Sequence, residues 1–390
     1  MLRGWLDRLH AGSLSVELPD GSRMEAHGRM PGPAASLHLL RWRPLWRMLV
    51  EGDLGLALSW RDGDWTSPDL TTLLELGVLN EAHWHDGIAA AGPMNRLLRL
   101  LHTANANTRR GSRRNIAAHY DLGNAFYGHW LDASMLYSSA LYTHEGQSLE
   151  SAQAAKLDRI CELLQLDELP ADARVLEIGC GWGALAVSLA EQRDDIAVTG
   201  LTLSKEQLAH ARTRVAAAGR QGQVDLRLQD YRDVQGRFDR IVSIEMIEAV
   251  GEAYWPVYFA TLRDRLAPGG VAVLQAITIN DDTFESYRRG ADFIQRCIFP
   301  GGMLPCPRVL HEQAARAGFT IEETHCFGSS YARTLVEWRR RFLAAWPAIE
   351  PLGFDAAFQR LWDYYLCYCE AGFRVGRVDV GLYKLRRTAG

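Results

Sequence analysis

The sequence has no paired cysteine spacing. Its seven cysteines, Cys161, Cys180, Cys297, Cys306, Cys326, Cys367 and Cys369, are odd in number and include no CxxC. Neither a disulfide framework nor a structural zinc site is indicated, no metal is expected, and a reducing compartment fits. No apolar run approaches the roughly 18 residues of a membrane span, and the N-terminus lacks the apolar core of a signal peptide. The expectation is a cytoplasmic protein, neither exported nor integral. Strong net charge is missing too: 43 Lys and Arg face 47 Asp and Glu, leaving −4, which argues against a general nucleic-acid binder. No internal repeat is evident. What remains is a 390-residue chain, 47% hydrophobic, long enough for a large core and a second, smaller domain.

Three segments follow from composition. Residues 1–95 read as an α+β accessory domain: Leu14–Leu18 alternates like a strand before the turn signal Pro19-Asp20-Gly21. Leu37–Val50 mixes Leu, Trp and Arg, with Pro44 as a break or a helix start. Ser67-Pro68-Asp69 opens a helix over 70–79. Residues 96–118 are a basic linker or arm carrying Arg109, Arg110, Arg113 and Arg114. From 119 to 390 short β-rich runs alternate with helical ones. Strands are expected at 174–179, 196–203, 224–229, 238–244 and 270–279, and helices at 184–193, 204–218 and 253–266. Such alternation predicts a doubly wound, Rossmann-like α/β sheet, closed by 320–324 and 380–384, with an aromatic-rich helical tail over 333–374 packed on the sheet.

In such a sheet ligands lie beyond the carboxyl ends of the strands, and the first strand-to-helix turn is the usual place. Here that turn reads Glu177-Ile178-Gly179-Cys180-Gly181-Trp182-Gly183. Its GxGxG spacing differs from the dinucleotide GxGxxG and, with Glu177 ahead of it, resembles motif I of S-adenosylmethionine-dependent methyltransferases. A tight turn that merely packs helix on strand is the plain alternative. The second strand ends in Thr202-Leu203-Ser204-Lys205-Glu206-Gln207, where hydroxyls and an amide can reach a ribose or the methionine moiety. The third ends in Asp230-Tyr231, suited to an adenine amine and a stacked ring.

The ordered series from HYDLGN at 119–124, through LYSSALY at 136–142, the glycine loop, TLSKEQ at 202–207, LQDYRD at 228–233 and FPGG at 299–302, to Tyr331 in FGSSYARTL and CEAGFR at 369–374 resembles the cyclopropane-fatty-acyl-phospholipid synthases and mycolic acid methyltransferases. It covers roughly 110–390, and EGDLGLALSWRDGDW at 51–65 resembles the N-terminal domain of bacterial members. The resemblance implies that S-adenosylmethionine alkylates a cis double bond in a phospholipid acyl chain. Tyr137 and Ser138 then join Glu177, Gly179, Cys180, Gly181, Trp182, Gly183, Thr202, Leu203, Ser204, Gln207, Asp230 and Tyr231 as cofactor-binding candidates. It also implies a homodimer.

An alkene is a poor nucleophile, so it must be aligned with the methyl group in a dry pocket and the ensuing cation stabilised. Tyr137, Tyr331, Phe126, Tyr127 and Trp182 are candidates for aromatic faces doing this, or are ordinary core. Relatives are thought to use a bound bicarbonate as base, held by a cysteine, a glutamate, a histidine and a tyrosine. Here Ser139 stands for the cysteine, Glu248 is kept, Gln275 ahead of Ile277 replaces the histidine, and Tyr331 is kept. Where glycine is common in the family, this chain has Glu245. Glu245 is expected near the sulfonium, replacing bicarbonate as base or reshaping its site; alternatively it pairs with an arginine and has no chemical role. Cys369 matches a cysteine regarded as active in relatives, although a cysteine in an apolar helix is usually a small buried residue.

Which proton leaves decides the product: loss from the added methyl closes a cyclopropane, and loss from a neighbouring chain carbon leaves a methylated or methylene-bearing alkene. A methyltransferase for small molecules and a non-catalytic lipid-binding homologue are the rival readings. A bilayer substrate calls for docking on the inner membrane face, with Arg41, Arg43 and Arg47, between Trp42 and Trp46, and the arginines of 109–114 meeting anionic headgroups.

Overall fold

The structure, a computed structural model, describes residues 2–88, 122–290 and 292–388. The basic arm with Arg109, Arg110, Arg113 and Arg114, the 96–118 linker and His119–Asp121 of HYDLGN lie outside the described residues. By compactness the chain forms two units, one made of the N-terminal segment with Arg289–Ile298 and Leu335–Val378, the other of the remainder.

In the first unit, α1 (Leu2–Leu6) precedes strands β1 (Ala11–Glu17), β2 (Arg23–His27) and β3 (Met30–Leu39). Helices α2 (Arg43–Glu51) and α3 (Asp53–Arg61), the short β4 (Trp65–Thr66) and α4 (Leu70–Ile88) follow. The sheet order is β2-β1-β3-β4. The expected strand at 14–18 is β1, and Pro44 sits in the first turn of α2 as a helix start, where its missing N–H costs nothing. The helix expected at 70–79 runs on to Ile88.

The second unit opens with α5 (Asn124–Gly128) and α6 (Leu149–Leu164), the latter capped by Ser148, whose hydroxyl accepts from the Ser151 N–H. Then come β5 (Arg174–Ile178), α7 (Ala184–Gln192), β6 (Ala197–Thr202), α8 (Lys205–Ala217), β7 (Val224–Leu228) and β8 (Phe238–Ile244). The short α9 (Ile247–Val250), α10 (Trp255–Arg265), β9 (Leu266–Ile279), α11 (Asp281–Arg289), α12 (Pro307–Arg316) and β10 (Phe319–Cys326) complete this stretch. After α13 (Gly328–Ile349) and α14 (Ala356–Arg374), the last strand is β11 (Val378–Arg387). The seven-stranded order is β10-β11-β9-β8-β5-β6-β7. Strands β5 to β9 pair parallel, and β10 with β11 antiparallel.

The chain leaves β5 toward β6 on one side and returns to β8 on the other, so the switch point, where such sheets bind ligands, lies at the carboxyl ends of β5 and β8. Val175, Leu176, Ile241, Val242, Val271 and Val273 are at 0% exposure, as central strands covered on both faces require.

The tail is helical, as expected, but its position needs correction. Its α14 packs on α3 and α4 within the first unit. Thr71 donates its hydroxyl to Glu370 at 3.1 Å, and Arg360 lies over the Trp60 ring at 4.4 Å. Aromatic content marks α14 as buried, but its partners are α3 and α4 rather than the large sheet.

Candidate active site

The glycine loop leaves β5 with positive φ at Gly179, Gly181 and Gly183, at 85°, 50° and 82°, a region that L side chains avoid. The three differ in purpose. A Cβ on Gly179 would come within 2.5 Å of Met246 Cγ, and one on Gly183 within 2.9 Å of the Ala211 Cβ. At Gly181 it would meet nothing within 4 Å, so that side of the loop faces open space. Two residues ahead of the loop, Glu177 is buried, its Oε2 has no hydrogen-bond partner, and burial pushes its carboxyl up to about 8. A loop open at Gly181 and an unpartnered carboxyl oxygen on the strand that leads into it fit a ligand bearing ammonium or hydroxyl donors, and S-adenosylmethionine carries both.

The other cofactor candidates divide. Cys180 is buried, with its thiol held protonated by burial. Trp182 donates from Nε1 to Asn124 Oδ1 at 2.7 Å, and Asn124 Nδ2 donates to the Glu206 carbonyl at 3.2 Å. Asn124 of HYDLGN thus ties the loop to α8. Thr202, Ser204 and Gln207 bond among themselves: the Thr202 hydroxyl donates to Gln207 Oε1 at 2.9 Å, and Ser204 accepts from the Gln207 N–H at 3.2 Å as the cap of α8. Leu203 is half-buried between them. Asp230 is held by Arg232, at 2.8 and 2.6 Å, and Tyr231 is packed edge-on to Tyr258 at 5.5 Å. Neither group is presented as freely as the sequence suggested, because the neighbouring arginine and tyrosine claim them.

Tyr137 packs with Tyr127 and Trp130, at 5.3 and 5.6 Å between ring centres, and Tyr127 with Trp182 at 5.2 Å. Phe126, Tyr127 and Trp130 are fully buried. Of the aromatic candidates, Phe126 and Tyr127 are core, whereas Tyr137 is half-buried.

The base candidates converge. Glu245, just past β8, has φ +49°, the left-handed region where a glycine would sit without strain. Its Oε1 accepts from the Ser139 backbone N–H at 2.9 Å and from Gln275 Nε2 at 2.7 Å. Its Oε2 accepts from the Tyr331 hydroxyl at 2.8 Å. No arginine is among these partners. Burial raises its proton affinity, while the Ser139 N–H, the Lys156 charge, Tyr331 and Gln275 pull it back. The Ser139 hydroxyl points elsewhere, to the Ala140 carbonyl at 2.9 Å. Glu248 accepts from the Ile277 N–H on Oε1, its Oε2 has no partner, and burial plus the Glu245 charge push it up to about 8. The serine, glutamine and tyrosine positions assigned to bicarbonate therefore all donate to a carboxylate that belongs to the chain itself, and they do not fit an additional anion.

Cys369 falls in the first compact unit, where burial, then the nearby Asp292 and Cys367, hold its thiol protonated. Sequence reasoning also missed two groups on α6, Gln153 and Lys156, buried to 1% and 0% exposure. Their signal was present: Ala152, Lys156 and Ile160 recur at helical spacing on the buried stripe.

A family description, mycolic acid cyclopropane synthetase, matches residues 107–382. The chain belongs to this family. It is 38% identical over 351 residues to the tuberculostearic acid methyltransferase UfaA1 of Mycobacterium tuberculosis, covering 86% of this chain and 79% of that protein. It is 39% identical over 345 residues to the cyclopropane-fatty-acyl-phospholipid synthase of Escherichia coli K12, covering 86% and 83%. The crystal structure of the mycolic acid cyclopropane synthase CmaA1 complexed with SAH and CTAB superposes with a TM-score of 0.66 at 31% identity, over 70% of this chain and 98% of that one. A coclaurine N-methyltransferase, at 18% identity and a TM-score of 0.65, shares the fold. The Rossmann-like methyltransferase fold and membership of an S-adenosylmethionine-dependent family expected from the motifs are thereby shown.

Proposed function

We propose that this protein methylates the double bond of an unsaturated phospholipid acyl chain, with Glu245 as the base that removes the proton from the resulting cation. The observation that carries the reading is the convergence of Ser139, Gln275 and Tyr331 on one carboxylate. Bound S-adenosylmethionine supplies an electrophilic methyl group. The glycine loop, Glu177 and the Thr202–Gln207 turn hold and orient it. The half-buried Tyr137 and the buried Tyr331 offer faces to the cation, which has lost an electron pair to the new C–C bond.

Proton removal falls to Glu245. Of its three donors, the Ser139 N–H, on Oε1, can only donate, whereas the Tyr331 hydroxyl, on Oε2, can turn and accept. The proton therefore lands on Oε2, beside Tyr331. Bicarbonate is not needed in this reading, because the chain supplies the anion. Loss of the proton from the transferred methyl gives a cyclopropane, the default product. Loss from the adjacent chain carbon gives a methyl-branched alkene, and a 1,2-hydride shift to the cationic carbon followed by loss of a proton from the methyl gives an exocyclic methylene. The altered base site, with Glu245 fixed at the end of β8, makes this second outcome a serious competitor.

A peripheral position on the membrane also belongs to this reading. Among the described residues no helix is long and apolar enough to cross a membrane. Trp42 and Trp46 are exposed at 52% and 69%. The neighbouring arginines are already engaged: Arg43 pairs with Asp64 at 2.5 Å and Arg47 with Asp62 at 2.8 Å, while Arg41 reaches Asp64 at 3.3 Å. The indoles, rather than the charges, are the supported contact. Homodimerisation follows from the resemblance alone, and sedimentation velocity checks it.

Labelled S-adenosylmethionine and vesicles of a monounsaturated phospholipid test the activity: label in the acyl chain is expected, and none overturns it. Ring and methylene products both add CH2, so proton NMR of the released fatty acid, not mass, separates upfield ring protons from vinylic ones.

A further inference from the structure

The chain contains only three lysines among its 43 cationic residues, and one of them, Lys156 on α6, is at 0% exposure. A buried ammonium is expensive unless paired, and in a chain otherwise served by arginine its use here calls for a reason. Lys156 Nζ donates to Ser138 Oγ at 2.6 Å. One turn earlier on the same face, Gln153 Nε2 donates to the Ser138 carbonyl at 3.0 Å. From the other side, α13 holds the same segment: the Ala140 N–H donates to Thr334 Oγ1 at 3.1 Å, and the Tyr142 N–H to Ser330 Oγ at 3.1 Å. The strap 138–142 is thus clamped so that the Ser139 N–H aims at Glu245.

We propose that Lys156 is a positioning residue for Glu245: it pins the strap that presents the Ser139 N–H, and its charge keeps the Glu245 carboxylate ionised inside the protein. The inference rests on the reading of Glu245 as base. The charged and titratable groups around the pair are Glu248 beyond β8, Tyr331 on α13 and Asp132 ahead of the strap. Asp132 is a second buried carboxylate, with Oδ1 unpartnered. Glu248 is held protonated by burial and by the Glu245 charge. Lys156 is the cation acting on Glu245 from within the cluster. Burial lowers the lysine to about 8, with Glu245 and Asp132 pulling it back up. A guanidinium would stay charged at any accessible pH, whereas this ammonium can lose its proton just above neutrality.

The test is the pH profile of kcat/KM on unsaturated phospholipid vesicles for the full chain, with Lys156→Met, Lys156→Gln, Lys156→Arg and Glu245→Gln beside the wild type. S-adenosylhomocysteine binding certifies that each variant is folded. Lys156→Gln retains a donor for Ser138 and serves if the methionine variant does not fold. In the neutral variants the acid limb moves to higher pH by about one unit, which is about tenfold in rate on that limb. In Lys156→Arg it stays in place. An unmoved limb in a folded neutral variant, with only the amplitude reduced, overturns the role of Lys156. Full activity in Glu245→Gln overturns the base reading and this inference with it; an inactive Glu245→Gln with an unmoved limb in the lysine variants overturns the lysine alone.

Discussion

Glu245 occupies a backbone conformation that costs an L-residue about 1–2 kcal/mol and that glycine adopts freely, so the strain is the local cost of placing a carboxylate at the end of β8. That cost makes sense where the side chain receives three hydrogen bonds. Replacing it with glutamine keeps shape and removes basicity, and kcat is expected to fall by about 10²–10⁴ with S-adenosylhomocysteine affinity unchanged; undiminished turnover would exclude the base role. Glu177 and Glu248 make a separate prediction about stability. Both have folded proton affinities raised to about 8, above the ordinary glutamate value, so the native state holds protons that the unfolded chain releases. Their contribution is complete below the unfolded value and lost as pH rises through about 8. The melting temperature should therefore decline between about pH 5 and 8, and Glu248→Gln should flatten that slope. The replacement of glycine by Glu245 could be seen in the sequence. Its three donors could not, because residues 139, 275 and 331 meet only through tertiary packing.

The glycine loop shows how one element divides its labour. Gly183→Val drives a side chain into Ala211 and should both destabilise the protein and abolish cofactor binding. Gly181→Ala meets open space, so the protein should fold, and calorimetry should report a weakened S-adenosylhomocysteine affinity; the reverse pattern would show that the ligand lies elsewhere. Ser204→Ala removes the cap of α8 and should cost about 1 kcal/mol in denaturant unfolding. The strands and helices flanking this loop were legible because a parallel sheet writes near-continuous apolar runs separated by helical periods. Strand β3 was not, since Pro31-Gly32-Pro33 interrupts its alternation. Nor was α6, whose buried stripe carries the polar Gln153 and Lys156 among its apolar residues and so blurs the amphipathic pattern.

At the scale of the whole molecule, the chain is divided by packing rather than by sequence order. Leu335–Val378 returns to the unit that begins the chain, and no local pattern announces such a return, because the aromatic face of α14 would suit any apolar partner. The exposed indoles of α2 and its approach predict how the protein meets lipid. Co-sedimentation with phospholipid vesicles should change little between low and high salt, since the neighbouring arginines are internally paired, and Trp46→Ala should weaken it. Steep salt dependence would return the contact to the arginines. The central claim, that the chain supplies its own anion to the Ser139, Gln275 and Tyr331 donors, is tested most directly by the initial rate with and without bicarbonate for the wild type and for Glu245→Gly. The account predicts a wild type indifferent to bicarbonate and a slow glycine variant, with the Ser139, Gln275 and Tyr331 donors vacated, that bicarbonate accelerates. A wild-type enzyme that loses activity when bicarbonate is removed would contradict it.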